Sequence, residues 1–103
     1  MHVFINDLTF KAILGILDFE RIKKQTVIVD IDFEYTYKKN QFIDYSKVAK
    51  MVETTMKKKK FKLIEDAIEC LHKKLTKKFK IKNLAIKISK PTILKNCNVS
   101  VQG

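Results

Sequence analysis

The chain has 103 residues, a length that supports one domain with a thin hydrophobic core. Hydrophobic residues make up 46% of it, which is normal for a folded globular protein and excludes a disordered chain. The net charge of +11 invites a nucleic-acid partner, but all except one of the 22 basic residues are lysine, whereas base readout favours arginine. We therefore expect no nucleic-acid partner, and a basic module that binds RNA or DNA is the alternative from a different class.

Residues that bind metals or form disulfides are too few and too scattered to make a site. Cys70 and Cys97 form no CxxC motif, and His2 and His72 lack metal-ligand spacing, so no metal site is predicted. No segment approaches the about 20 apolar residues that a membrane span needs. The first ten residues alternate and include an acid, unlike a signal peptide. A reduced, cytoplasmic location without a membrane partner is expected.

Alternating apolar residues predict two strands in the N-terminal part of the chain. The first covers residues 2–14, with an irregularity near Asn6 and Asp7. Gly15 follows it, and we expect this glycine to adopt a backbone conformation that is costly for other residues. The second strand covers residues 26–37, with apolar and aromatic side chains on one face and acids on the other. This pattern is typical of an antiparallel sheet with one covered face.

Two helices and two further strands follow. Ser46 is predicted to cap a helix that ends at the lysines of 57–60, and a second helix begins near residue 62. Lysines at the end of each helix complement its dipole, so they require no ligand. Strands at 83–89 and 97–101 complete the order β-β-α-α-β-β. The predicted fold is α+β, a four-stranded antiparallel sheet with two helices on one face, and its long strand edges predict a homo-oligomer.

Four polar residues lie at the ends of predicted elements, where rigid scaffolds present reactive groups: Glu20, Tyr45, Glu65 and Lys90. Each also has a purely structural interpretation. Glu20 would be a surface charge near Arg21, and Tyr45 would pack on the first predicted helix. Glu65 would complement a helix dipole, and Lys90 would be an exposed strand end. The physical properties of the residues leave both interpretations open.

At these positions the sequence resembles the dihydroneopterin aldolase family, over almost its whole length. The similar segments, in chain order, are LGILDFERIKKQTVIVDIDF, DYSKV, FKLIEDAIE and IKISKP. The resemblance implies a single domain over residues 1–103 with the tunnelling fold, in which subunits join their sheets into a barrel. It also implies a homo-oligomer, a tetramer or an octamer, with active sites between neighbouring subunits. The segment KKNQFI, which precedes DYSKV, is shorter than the connection in many family members.

The activity that the resemblance implies is retro-aldol cleavage of 7,8-dihydroneopterin in folate biosynthesis. The products are 6-hydroxymethyl-7,8-dihydropterin and glycolaldehyde, and the reaction requires no cofactor, metal ion or Schiff base. Close relatives epimerise dihydroneopterin or its triphosphate with nearly the same residues. An additional 2'-epimerase activity is therefore compatible with the resemblance, and a dihydroneopterin (triphosphate) epimerase is the alternative function.

The same resemblance implies a role for each polar residue. Lys90 would move protons around N5 of the pterin and the side-chain hydroxyl, and Tyr45 of a neighbouring subunit would relay a proton. Glu20 would balance the charge of Lys90. Glu65 would anchor the pterin ring through two parallel hydrogen bonds. Further contacts with the substrate are expected from the backbone around three residues, Ile43, Asp44 and Ile64.

Overall fold

The computed structural model describes all residues, 1–103, as four strands and three helices. In chain order they are β1 (His2–Ala12), α1 (Asp18–Ile22), β2 (Gln25–Glu34), α2 (Tyr45–Lys59), α3 (Ile64–Lys78), β3 (Lys82–Lys90) and β4 (Val99–Gln102). The strands form one antiparallel sheet in the order β1-β2-β3-β4. The predicted α+β fold, with the long elements in the order β-β-α-α-β-β, is confirmed. No helix is both long and apolar enough to cross a membrane.

The two long helices cover one face of the sheet. Alternate residues of β2 from Val27 to Phe33 are buried, and β3 places Ile86 and Ile88 opposite this stripe. The apolar stripe predicted for the second helix packs on the same core through five residues: Ile64, Ala67, Ile68, Leu71 and Leu75. Because each large apolar side chain contributes about 1.5–3 kcal/mol when fully buried, this shared core holds the helices on the sheet.

A β-bulge interrupts β1 at the predicted irregularity, since the register with β2 shifts between Ile5 and Leu8. Asp7 adopts a positive φ of 59° there, and its backbone N–H donates to Oδ1 of Asp30 at 2.8 Å. The bulge lets apolar residues face the helices both before and after it, which a continuous strand of this sequence would not allow.

Both N-terminal strands are shorter than predicted. β1 ends at Ala12 rather than at residue 14, because the chain leaves the sheet toward the turn at Gly15. β2 ends at Glu34, so Tyr35 and Tyr37 lie beyond the strand; Tyr35 still packs against the core, whereas Tyr37 is exposed. The one-turn helix α1 between the two strands was not predicted, since five residues are too few to show helical periodicity.

The prediction that Ser46 caps the first long helix is wrong by two residues. Asp44 is the N-cap of α2, and its Oδ1 accepts hydrogen bonds from the backbone N–H of Ser46 at 3.0 Å and from its hydroxyl at 2.6 Å. An ionised carboxylate accepts two donors at once and suits the positive end of the helix dipole, so Asp44 takes the cap and Ser46 lies within the first turn.

Candidate active site at the Glu20–Lys90 pair

A tight turn at Gly15 brings Glu20 back against the end of β1. Gly15 is buried and has a φ of +133°, a conformation that L side chains rarely adopt. A Cβ atom at this position would overlap the carboxylate of Glu20. The glycine therefore provides both the backbone conformation of the turn and the space for the carboxylate, which fulfils the sequence-based expectation that Gly15 has a special conformation.

Glu20 is buried, with 2% of its surface exposed, so its interpretation as a surface charge is wrong. Its Oε2 accepts hydrogen bonds from Nζ of Lys90 and from Nε2 of Gln25, each at 2.8 Å, and its Oε1 accepts the N–H of Leu17 at 3.3 Å. Burial raises the pKa of Glu20, but these hydrogen bonds, with that of Lys90 foremost, together hold it below the usual value. The carboxylate is therefore ionised at neutral pH.

The side chain of Lys90 faces the covered side of the sheet because alternate side chains of β3 point to the same face. It shares the covered face with Ile86 and Ile88, and only 11% of its side chain is exposed. It is therefore not the exposed strand end that its position before Pro91 suggested. An ammonium group has three donors, and Glu20 is the only hydrogen-bond partner of Nζ within the chain. Two donors remain for a substrate or for water.

Arg21, the only arginine, ties the Gly15 turn to the connection between α2 and α3. Its Nη1 donates to the carbonyls of Gly15 at 3.0 Å and Phe61 at 3.2 Å, and its Nη2 donates to that of Lys60 at 2.8 Å. The N–H of Gly15 also donates to the carbonyl of Phe61, at 3.1 Å. These bonds bring the start of α3 to the same end of the molecule as the Glu20–Lys90 pair.

Glu65 lies in the first turn of α3, four residues after Phe61, whose carbonyl accepts the hydrogen bonds from Arg21 and Gly15. Its side chain is exposed and has no hydrogen-bond or ion-pair partner within the chain. Leu63, the N-cap residue, provides no side-chain hydrogen bond to the helix, and Ile64 has its side chain in the hydrophobic core. The turn thus presents a free carboxylate beside backbone N–H groups that lack a capping side chain.

Tyr45 and its neighbours Ile43 and Asp44 lie at the opposite end of the molecule. α2 begins at Tyr45, and its far end is held by Arg21 through Lys60. A helix of 15 residues is about 22 Å long, so Tyr45 cannot reach the Glu20–Lys90 pair of its own chain. Its side chain is 66% exposed, which also excludes the interpretation that it simply packs on the helix.

Asp44 is held ionised by the cap of α2. Hydrogen bonds from the side chain and the backbone of Ser46 lower the pKa of its carboxyl.

No group of three or more histidine, cysteine, aspartate or glutamate residues is arranged to hold a metal ion in this chain.

The sequence predicted no role in the site for two residues that belong to it, Gln25 and Arg21. Gln25 donates from Nε2 to the carbonyl of Leu14 at 2.6 Å as well as to Glu20, while its Oε1 is buried without a partner. Gln25 belongs to the segment LGILDFERIKKQTVIVDIDF that carries part of the resemblance, but the resemblance implied no role for it. The only signal for Arg21 was that a single arginine stands among many lysines, which suggests a demand for its forked donors.

Comparison with known proteins connects this geometry to one family. The family model described as "FolB: Dihydroneopterin aldolase" matches residues 3–102. The dihydroneopterin aldolase of Haemophilus influenzae is 29% identical over 97 residues, which cover 87% of this chain and 82% of that protein. The crystal structure of Escherichia coli dihydroneopterin aldolase in complex with neopterin superimposes with a TM-score of 0.87 at 24% identity, over 100% of this chain and 98% of that one. A FolB structure from Vibrio cholerae gives a TM-score of 0.87 at 21% identity, over 100% and 96% of the two chains.

Proposed function

Because the chain belongs to the dihydroneopterin aldolase family, we propose that it cleaves 7,8-dihydroneopterin into 6-hydroxymethyl-7,8-dihydropterin and glycolaldehyde. The observation that carries this proposal is the buried ion pair of Glu20 and Lys90. In this pair the ammonium group of Lys90 keeps two N–H groups free for a ligand. The neopterin bound to the Escherichia coli relative supports a pterin as the ligand class.

The cleavage breaks the C1'–C2' bond of the side chain. Loss of the proton from the 2'-hydroxyl turns C2' into the aldehyde of glycolaldehyde, and the bonding electrons move onto the dihydropterin ring. The ring accepts them because it contains a C=N bond next to the side chain, provided that N5 is protonated. Reprotonation of C1' and loss of the proton from N5 then give the product. In this scheme the ring is the electron sink, so the reaction needs neither a lysine imine nor a Lewis acid.

Lys90 is the group that we assign to these proton transfers. Its ammonium is buried enough to be fixed by Glu20, yet it keeps donors for N5 or for a water molecule next to the 2'-hydroxyl. Glu20 keeps Lys90 oriented and offsets its charge. Gln25 holds Glu20 from the other side, so the proton donor belongs to a fixed network rather than to a mobile side chain.

Glu65 is assigned to the pterin ring. A carboxylate accepts two parallel hydrogen bonds, and the N3–H and 2-amino group of a pterin provide two parallel donors. Glu65 has no competing partner in the chain, and the backbone near Ile64 adds N–H groups at the start of the helix. The ring would therefore bind at the start of α3 with its side chain directed toward Lys90.

The separation of Tyr45 from Lys90 supports a site completed by a second copy of the chain. Tyr45, with Ile43 and Asp44, would enter from a neighbouring copy and assist proton transfer to the intermediate. The surface around α1 supports such an assembly, because it exposes several large apolar residues: Ile16, Leu17, Phe19 and Ile22. We propose a homo-oligomer, a tetramer or an octamer, with each active site between two copies.

The decisive experiment is incubation with 7,8-dihydroneopterin without added metal, followed by chromatography of the pterins. We expect 6-hydroxymethyl-7,8-dihydropterin and an equal amount of glycolaldehyde. Lys90→Ala should lower kcat by about 100-fold or more, the usual effect of losing a general acid or base. The matched control is Lys87→Ala on the exposed face of the same strand, which should leave kcat within about twofold.

Two results would contradict the proposal. Formation of a side-chain stereoisomer without glycolaldehyde would replace the aldolase with the epimerase. Equal kcat values for Lys90→Ala and Lys87→Ala would remove the catalytic role of Lys90 even if the chain cleaved dihydroneopterin.

A further inference from the structure

A cavity of about 840 Å³ lies between the β2–α2 and α3–β3 connections. It is separate from the Glu20–Lys90 pair, because β2 begins at Gln25 beside Glu20, and Tyr35, which follows the far end of β2, belongs to the cavity wall. Ligand pockets of proteins measure roughly 300–1,000 Å³, so this volume suits one small organic molecule. The side chains that line the cavity indicate which class of molecule fits.

Positive charge dominates the wall of the cavity. The only carboxylate in it is that of Asp44, whose Oδ1 already accepts two hydrogen bonds from Ser46. A concave surface with one sign of charge attracts ligands of the opposite sign, and lysine ammonium groups bind phosphate oxygens well. Five lysines line the cavity, and none of them takes part in an ion pair: Lys38, Lys47, Lys78, Lys80 and Lys82.

Lys47 is the lysine whose position the fold explains least. It lies in the first turn of α2, which contains no acidic residue and where the helix itself contributes positive potential. Lys78, in the last turn of α3, complements the dipole of its helix, whereas Lys47 opposes the dipole of α2. A positive charge at this position is unfavourable for the folded chain alone, and a bound anion would offset it.

The walls of the cavity are ordered by contacts within the chain. In the β2–α2 connection, the N–H of Gln41 donates to the carbonyl of Lys38 at 2.8 Å, and Asn40 provides the positive φ of 69° in this turn. On the opposite side, Phe79 and Ile81 pack against the core and so fix the backbone between α3 and β3. A site formed before the ligand arrives reduces the entropic cost of binding.

An exposed aromatic ring stands beside these charges. Phe42 lines the cavity together with Tyr35 and Phe79, and it is 72% exposed. Such a ring offers a flat apolar surface on which a planar heterocycle can stack. The side-chain amide of Gln41 also lines the cavity, and an amide both donates and accepts hydrogen bonds, as the edge of a nucleotide base does.

These features match the two parts of one ligand class. We propose that the cavity binds a nucleoside triphosphate, with the phosphates among the lysines and the base on Phe42. A nucleic-acid strand suits the cavity less well, because there is room for one small molecule and the wall contains no arginine to read base edges. The inference goes beyond the proposed function and does not depend on the cleavage of dihydroneopterin.

Calorimetric titration of the wild-type chain with ATP, GTP and tripolyphosphate at low ionic strength tests the proposal. We expect at least one nucleotide to bind about tenfold or more tightly than tripolyphosphate, the scale on which stacking of a base on an aromatic side chain acts. Phe42→Ala should reduce the affinity for that nucleotide to the affinity for tripolyphosphate. Phe4→Ala, which removes an exposed ring of β1 outside the cavity, is the matched control and should leave the affinity unchanged.

A second pair of variants tests the lysines. Lys38→Gln/Lys47→Gln/Lys80→Gln should weaken nucleotide binding by about tenfold or more, because the attraction of the cavity for anions is reduced. The control Lys11→Gln/Lys58→Gln/Lys95→Gln removes the same charge from three exposed lysines that lie outside the cavity and take part in no ion pair. It should keep Kd within about twofold, since charges farther away than the Debye length are screened.

Three results would overturn the inference. The first is absence of nucleotide binding to the wild-type chain, and the second is tripolyphosphate binding as tight as that of both nucleotides. The third is equal weakening in the cavity variant and its control, which would indicate attraction to the charge of the whole chain. Failure of the proposed function would be recognised separately, because these titrations contain no dihydroneopterin and require no turnover.

Discussion

Glu20 is a carboxylate that stays ionised although almost none of its surface is exposed. Loss of water opposes the charge, but hydrogen bonds from Lys90, Gln25 and the backbone of Leu17 favour it more strongly. The ionised carboxylate in turn holds the ammonium group of Lys90 in position. Gly15 makes the arrangement possible, since any side chain at that position would occupy the place of the carboxylate.

Replacing Glu20 by glutamine is expected to make the free energy of unfolding depend less on pH in the acid range. The pKa of Glu20 in the folded chain lies below its ordinary value of 4.5, so its contribution is complete above that pH and is lost as the pH falls through the folded pKa. At pH about 7, Glu20→Gln should lower the free energy of unfolding by about 3 kcal/mol, because the buried Lys90 loses its counter-charge. At pH about 3 the difference from wild type should shrink.

Urea unfolding at the two pH values measures this effect. Glu53→Gln is the matched control, since it breaks an exposed ion pair with Lys57 and should cost less than about 1 kcal/mol. A deficit for Glu20→Gln that is equal at both pH values would show that the ionisation of Glu20 does not stabilise the fold.

At the scale of elements, the site depends on how α1 is attached to the rest of the molecule. α1 is a single turn and cannot be stable by itself. The forked guanidinium of Arg21 attaches it to Gly15 and to the connection between the two long helices, at Lys60 and Phe61. One side chain therefore sets the distance between the turn that carries Glu20 and the start of α3.

Arg21→Lys should separate these two elements. A lysine has a single nitrogen and cannot satisfy three carbonyls in this fixed fork, so we expect the free energy of unfolding to fall by about 1–3 kcal/mol. We also expect KM for dihydroneopterin to rise, since Glu65 and the Glu20–Lys90 pair would no longer be held at a fixed spacing. Urea unfolding and steady-state kinetics provide the two readouts.

Lys23→Arg is a suitable control for this substitution, because Lys23 is exposed and has no side-chain partner. It should change neither quantity. If Arg21→Lys matched the wild type in both measurements, the three hydrogen bonds of Arg21 would have no structural importance.

At the scale of the whole molecule, the residues assigned to one reaction lie at two ends of an elongated chain. Its principal extents are 49 × 26 × 19 Å, and α2 separates Tyr45 from the anchor of Arg21. Glu20, Glu65 and Lys90 would form one half of a site, and Tyr45 would form the other half. Two copies placed side by side can bring opposite ends together, which no movement within one folded copy would achieve.

Mixed assemblies test this division. Lys90→Ala and Tyr45→Phe should each be nearly inactive alone. After joint unfolding and refolding in equal amounts, about a quarter of the sites should combine an intact Lys90 with an intact Tyr45 of the neighbouring copy. We therefore expect dihydroneopterin cleavage to recover to about a quarter of the wild-type rate per site.

Lys90→Ala mixed with Glu20→Gln is the control, because both substitutions damage the same half of the site and no mixture restores it. Recovery in this control, or its absence in the test mixture, would contradict a site shared in this way.

A nucleic-acid partner, the alternative from a different class, would be revealed by steep salt dependence of nucleic-acid binding together with the failure of neopterin to raise Tm.

The sequence by itself determined the four strands and the two long helices, though not all their ends, and the side of the sheet that the helices cover, because these features depend on local periodicity. Alternate residues of a strand point the same way, so Lys90 lies on the covered face with Ile86 and Ile88, although its position before Pro91 had suggested an exposed strand end. The motifs also narrowed the many lysines and acids to a short set of candidates. These features are readable because each depends on residues that are close together in the chain.

Only the tertiary structure decided which candidates meet. Glu20 was interpreted from local sequence as a surface charge, but its burial depends on Lys90, 70 residues further along the chain, and on the open space at Gly15. The roles of Arg21 and Gln25 also come from contacts between distant segments. The separation of Tyr45 from Lys90 follows from the direction and length of α2. Such relations are set by packing between elements, and local periodicity carries no information about them.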